Sequence, residues 1–226
     1  MSETVMPELK TDSLSGETSA PKRSGENGPQ PITLQKTAGH FKTITAHKLL
    51  VQQECFRVGL YRQGLLHDLS KYSPEEFWVG ARYYTGTESP NNGERRAIGY
   101  SSAWLHHKGR NRHHYEYWID YSTHMIKNGY TPVKMPGRYV AEMFCDRVAA
   151  SKIYHGRKYR DSDPLNYYLR GNTSRFLHPE TAALLEKLLR MLAEKGEDET
   201  CAYIREHLHK RSLKKLLHGA GWYIDG

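Results

Sequence analysis

At 226 residues, with a polar first forty, the chain can bury one sizeable core but is too short for two ordinary domains. Lys and Arg outnumber Asp and Glu by 33 to 25, and the resulting +8 favours anionic partners: a phosphorylated small molecule or nucleotide first, nucleic acid as the weaker alternative. Three cysteines without a CxxC pair indicate neither a disulfide framework nor a zinc–thiolate site, and no apolar run reaches the roughly 18–20 residues of a membrane span, so a cytosolic protein is expected.

Residues 1–38 combine Ser, Gly, Pro and charge with almost no large apolar side chain, the composition of a disordered tail. From Phe41 the pattern changes. Ile44, His47, Val51, Cys55 and Val58 recur at helical spacing, so the apolar stripe of this helix includes a histidine. Gly59 and Gly64 bracket a break. The next helix is expected to carry Leu65-Leu66-His67-Asp68-Leu69-Ser70-Lys71 and to stop by Tyr72, since Pro74 disfavours helical geometry in the residue before it. A His-Asp doublet among leucines needs a cation, a base or a cleft, because a buried unpaired carboxylate is costly.

Ser73-Pro74-Glu75-Glu76 reads as a fresh helix start with a capping box. Residues 86–93 form a surface loop, and helices are expected over 94–107 and 114–127, the second ended by Asn128-Gly129. Arg138 to about Tyr154 is another helix, with Val140, Met143, Phe144, Val148 and Ala149 as core. Asp163-Pro164 begins a short helix that Gly171 stops. The last quarter is a helical hairpin: Leu184, Leu185, Leu188 and Leu192 precede Gly196, and Tyr203, Ile204 and Leu208 return. A basic stretch of His207, His209, Lys210, Arg211, Lys214 and Lys215 follows, best read as a solvated helix face. No alternating run suggests strands. The expectation is an all-α fold, with a helical domain over 39–172 and the hairpin of 173–226 packed on it.

Three further features fit the search that His67 and Asp68 open. His47 points inward on an apolar face, where a lone histidine is ordinarily a core residue bonded to a carbonyl. Asp146 lies on a mainly apolar helix face, where an ion pair, most simply with Arg147, is the plain explanation. His106-His107 and His113-His114 bracket Lys108, Gly109, Arg110, Asn111 and Arg112, an unusual density of imidazoles beside cations.

Taken together, His47, His67-Asp68, a histidine at 106 or 107, and Asp146 resemble the ligand series of the HD-domain superfamily of metal-dependent phosphohydrolases. Leu-Leu-His67-Asp68-Leu-Ser-Lys71 is similar to that family's His-Asp-x-x-Lys helix, and Ala141 to Ala150 to the helix bearing its last Asp. The series also resembles an HD-like family of small bacterial proteins with a His-Asp-Leu-Ser-Lys core. The resemblance covers about residues 40–155. It implies an HD-like helical bundle in which His47, His67, Asp68 and Asp146 bind one divalent ion (Mn, Fe, Mg, Co, Ni or Zn), with a second ion left open. Catalytic roles would fall to Asp68, Lys71 and His106, and substrate contacts to His107, Arg110, Arg112, His113, His114 and Arg147. The reaction implied is hydrolysis of a phosphomonoester, nucleotide or phosphodiester. A non-catalytic metal-binding module with a basic interaction surface, or an HD-type di-iron oxygenase, would use the same scaffold.

Overall fold

The computed structural model describes residues 30–122 and 129–217, with side chains through residue 208. The expected tail lies outside the described residues as far as residue 29, as do the side chains of the basic stretch from His209 onward. Among the described residues the fold is all-α, with eight helices and one small hairpin of strands.

Helix α1 (Leu34–Arg57) starts inside the stretch expected to be tail, because the Thr33 side chain accepts a hydrogen bond from the Lys36 amide and caps it. Its buried stripe runs through His40, Ile44, Val51, Glu54 and Cys55. Gly59, at φ 82°, turns the chain into the short α2 (Tyr61–Leu66). Gly64 lies within α2 instead of ending a break; its place against Cys55 leaves no room for a side chain. Helix α3 (Pro74–Tyr83) follows a 3₁₀ turn over Leu69–Tyr72. The expected capping box does not form: Ser73 makes no side-chain cap, and Glu76 is turned inward to two histidines.

The expected 94–107 helix is two helices, α4 (Pro90–Ile98) and α5 (Ser102–Arg110), divided at Gly99, where φ is 88°. Pro90 at the first turn starts α4 inside the expected surface loop, and Ser101 caps α5 through the Trp104 amide. The helix expected over 114–127 is not formed. A 3₁₀ turn over Tyr115–Trp118 leads into β1 (Ile119–Tyr121), which pairs antiparallel with β2 (Tyr130–Pro132), Ile119 opposite Pro132; residues 123–128 lie outside the described residues. Ile, Tyr and Trp in this segment favour a strand over a helix once no apolar helical stripe demands otherwise.

Helix α6 (Gly137–His155) is the centre of the molecule and packs on both α1 and the C-terminal helices. Ala141, Cys145 and Ala149, one turn apart and fully buried, let neighbouring backbones approach closely. After α7 (Asp163–Arg170), α8 (Pro179–Leu217) is broken at Gly196, whose φ of 81° is non-helical. Contact of Lys187 with the Tyr203 hydroxyl at 2.7 Å shows that the two halves fold back as a hairpin. Leu185, Leu188, Leu189 and Leu192 from its first half join the same buried cluster as Val51, Val140, Phe144 and Tyr168, each contributing about 1.5–3 kcal/mol of burial. Around this core Glu54 accepts from Lys152 (2.7 Å) and Arg57 (3.0 Å), and Lys152 reaches Glu197 (2.6 Å), tying α1, α6 and the hairpin together. All three cysteines are buried and free. No described helix is long and apolar enough to cross a membrane.

Candidate metal centre

The His67-Asp68 doublet does not sit on a helix. Helix α2 ends at Leu66, His67 is extended (φ −53°, ψ 128°), and Asp68 adopts a left-handed conformation (φ 54°, ψ 25°) before the 3₁₀ turn. Lys48 donates to the freed carbonyls of Leu65 (2.7 Å) and His67 (3.3 Å) and so holds the joint. The joint reverses the polarity that the sequence suggests: Leu65, Leu66 and Leu69 face outward, while His67 and Asp68 are each only 2% exposed.

Asp68 stands between two groups of donors. On one side His47 from α1, His67 and Asp146 from α6 gather at its Oδ2: His67 Nε2 lies 3.3 Å from Asp68 Oδ2 and 3.5 Å from Asp146 Oδ1, and His47 Nε2 lies 2.9 Å from Asp146 Oδ1. On the other side His107 Nε2 (3.3 Å) and His113 Nε2 (3.4 Å) approach Asp68 Oδ1, with His114 beside them, its ring centroid 4.1 Å from that of His113. Both groups, His47-His67-Asp68-Asp146 and Asp68-His107-His113-His114, could hold a metal ion. The second ion left open by the sequence therefore has a donor set of its own.

Two carboxylates behind the imidazoles set their orientation. Glu142 Oε1 accepts from Nδ1 of His67 (3.1 Å) and lies 3.3 Å from Nδ1 of His113, and Glu76 accepts from Nδ1 of His107 (2.8 Å) and His106 (2.7 Å). With Nδ1 turned to these carboxylates, the Nε2 atoms of His67, His107 and His113 face the centre. Those three Nε2 atoms, His114 Nε2 and both Asp68 carboxylate oxygens are buried without a hydrogen-bond partner. Lys71 Nζ forms an ion pair with Asp68 Oδ2 at 2.6 Å but lacks the angles of a hydrogen bond. Orphaned buried donors and acceptors of this number are costly, and a divalent cation would satisfy them together.

The electrostatics agree. Burial opposes ionisation of Asp68, but His67, Lys71 and His107 outweigh it and hold the carboxyl well below its usual range; burial is likewise outweighed at Asp146 by His47 and His67. Burial pulls the pKa of His67 and His107 down, yet Asp68, with Asp146 and Glu142 for the first and Glu76 for the second, raises both above the ordinary histidine value. Burial and the neighbouring His113 and His107 push His114 well below it, and burial with Lys71 lowers His47 despite Asp146. Metal must displace protons from His67 and His107, so metal affinity is expected to rise with pH across the neutral range and to fall as acid refills both imidazoles. Calorimetric titration at several pH values, with the proton release read from buffers of different ionisation heat, checks the sign.

The remaining residues expected at the site fall into two sets. Lys71 borders it, and His106 reaches Glu76 at the rim. Arg110 folds back on the His106 carbonyl, Arg112 reaches the Tyr139 hydroxyl and the Tyr117 ring, and Arg147 lies over Tyr168, so none of the three guanidiniums joins the centre. Glu142, Glu76 and His40 were not among the expected residues. Glu142 is one turn before Asp146 on the same face, a signal available in the sequence.

No curated protein and no solved structure matches the chain. A family model does: residues 36–191, which carry every donor of both groups, match the family of unknown function DUF5662, and the chain belongs to that family.

Proposed function

We propose that the protein is a metal-dependent phosphohydrolase of the HD type with two adjoining metal positions that share Asp68. The observation that supports this reading is the convergence of buried, partnerless donors on both oxygens of one carboxylate. Two imidazoles with two carboxylates, and three imidazoles with one, suit first-row divalent ions without selecting among them. When bound, such ions supply Lewis acidity, lowering the pKa of a water and polarising a phosphoryl oxygen.

The chain's own residues do the rest. Asp68 holds the two donor groups together, and Glu142 and Glu76 keep the imidazoles in the ligating tautomer. Lys71, 29% exposed beside Asp68, supplies fixed positive charge where a phosphoryl oxygen would lie. Metal analysis of the purified chain combined with a panel of phosphomonoesters, nucleotides and phosphodiesters tests the reading. About two ions per chain and phosphate release that tracks them are expected. A correctly folded chain that binds no divalent ion would sink it. The shared carboxylate also suits an iron pair, so two irons with substrate-dependent oxygen consumption and no phosphate release would assign the scaffold to an oxygenase instead.

A further inference from the structure

Beside the centre is a cavity of about 50 Å³ bordered by His40, Lys71, Glu76, Asn91 and His107. Lys71 and His107 both also approach Asp68, so the cavity adjoins the proposed metal positions. We infer that it is a subsite for the unesterified oxygens of a terminal phosphoryl group, which makes phosphomonoesters, not diesters, the substrate class; this rests on the phosphohydrolase reading.

Size is the first argument. A single water needs about 10–15 Å³ and pockets for whole ligands run to about 300–1,000 Å³, so this space suits a phosphoryl-sized group with the remainder of the molecule outside. A second ester substituent or a nucleoside directed into this space would exceed it.

Chemistry is the second. His40 is 6% exposed and makes no hydrogen bond among the described residues, although it lines the cavity. Its ring is fixed between Phe77 and Tyr84, with centroids 5.4 and 6.0 Å away. The backbone makes room for it: any Cβ at Gly80 would collide with His40 Nε2. Burial and the nearby Lys71 lower its pKa to about 4, so at neutral pH it is an uncharged imidazole with one N–H to donate. A nearly buried imidazole that lines a cavity, bonds to no described residue and requires a glycine opposite it has the character of a ligand contact.

Charge is the third. Lys71 would be repelled from Asp68 once that carboxylate holds a divalent cation, and the cavity is the space it already borders. There an anionic oxygen would take the ammonium, with the Asn91 amide as a further donor. Glu76 also faces the cavity, but both of its oxygens are engaged by His106 and His107.

The test uses the full, metal-loaded chain and calorimetric binding of inorganic phosphate and of diphenyl phosphate. Wild type is expected to bind phosphate at least about tenfold more tightly than diphenyl phosphate, the equivalent of one good hydrogen bond or more. His40→Phe, which keeps the aromatic packing but removes the N–H, is expected to weaken phosphate about tenfold while leaving metal content and diphenyl phosphate binding unchanged. His40→Gln should recover part of the loss, and Gly80→Ala, which pushes the imidazole into the cavity, should reproduce it. Equal binding of the two probes, or unchanged phosphate affinity in both His40→Phe and Gly80→Ala with metal retained, overturns the subsite alone. A wild-type chain that takes up no metal overturns the phosphohydrolase reading and the subsite with it.

Discussion

Asp68→Asn is expected to strip both metal positions in one step, taking metal content from about two ions per chain to near zero and phosphate release down by about 10²–10³-fold or more. Asp68 contributes one oxygen to each donor group, so neither group keeps a carboxylate at its shared edge without it. Asn is the informative replacement because it tolerates the left-handed backbone that Asp68 adopts (φ 54°), so the loss reports on charge and not on the turn. Two companions separate the positions. His47→Ala should remove the ion on the Asp146 side only, and His114→Ala the ion on the His107 side only. Metal analysis after gel filtration, with circular dichroism to show an unchanged helical fold, measures all three. Retention of both ions by Asp68→Asn would exclude a shared carboxylate.

The second large effect is expected at Glu142, which need not touch an ion at all. Its Oε1 accepts from His67 and stands 3.3 Å from His113 Nδ1, one imidazole of each donor group, so a single residue faces ligands on both sides of Asp68. Burial works against its charge, but His113 and His67 hold the carboxyl below the ordinary glutamate value. Glu142→Gln preserves shape and removes the charge that fixes the Nδ1 protons. Affinity at both positions should fall by about 10–100-fold, the usual cost of losing an outer carboxylate partner. Glu76→Gln, which touches only His107 within the donor groups, should weaken one position alone. Competition with a chelator of known affinity resolves the two. An effect of Glu142→Gln confined to one ion would break the link between them.

Much of the fold is legible in the sequence because its main helices carry strong periodic stripes. The stretches now seen as α1, α6 and the hairpin each present apolar residues three and four apart, and the structure gathers most of those residues in or against one buried cluster. The 114–127 segment has no such stripe, and tertiary pairing of Ile119–Tyr121 with Tyr130–Pro132 decides its form. At the site, His47, His67, Asp68 and Asp146 stand out as polar groups in apolar surroundings, and the structure brings them together. His107, His113 and His114 stand out by density, which says nothing of direction; the structure turns them to Asp68 as a group that could hold a second ion, the alternative to the substrate contacts expected of them. Glu76 was concealed by a good local explanation, a helix cap, and its true partners are some thirty residues distant. His40 lies seven residues before His47, two turns back on the same face, but just ahead of Phe41, where the apolar pattern begins.

The left-handed joint at Asp68 has a consequence for how such a centre tolerates change. Within a continuous helix, neighbouring side chains leave the axis about 100° apart, and the interruption here sets a different angle between His67 and Asp68. They meet across that interruption, with His67 Nε2 3.3 Å from Asp68 Oδ2. Strong helix formers, ordinarily stabilising on a helical segment, are here expected to disperse the ligands by straightening the chain. Under the proposed function, a gain in helical stability at this position would come at the expense of ligand placement.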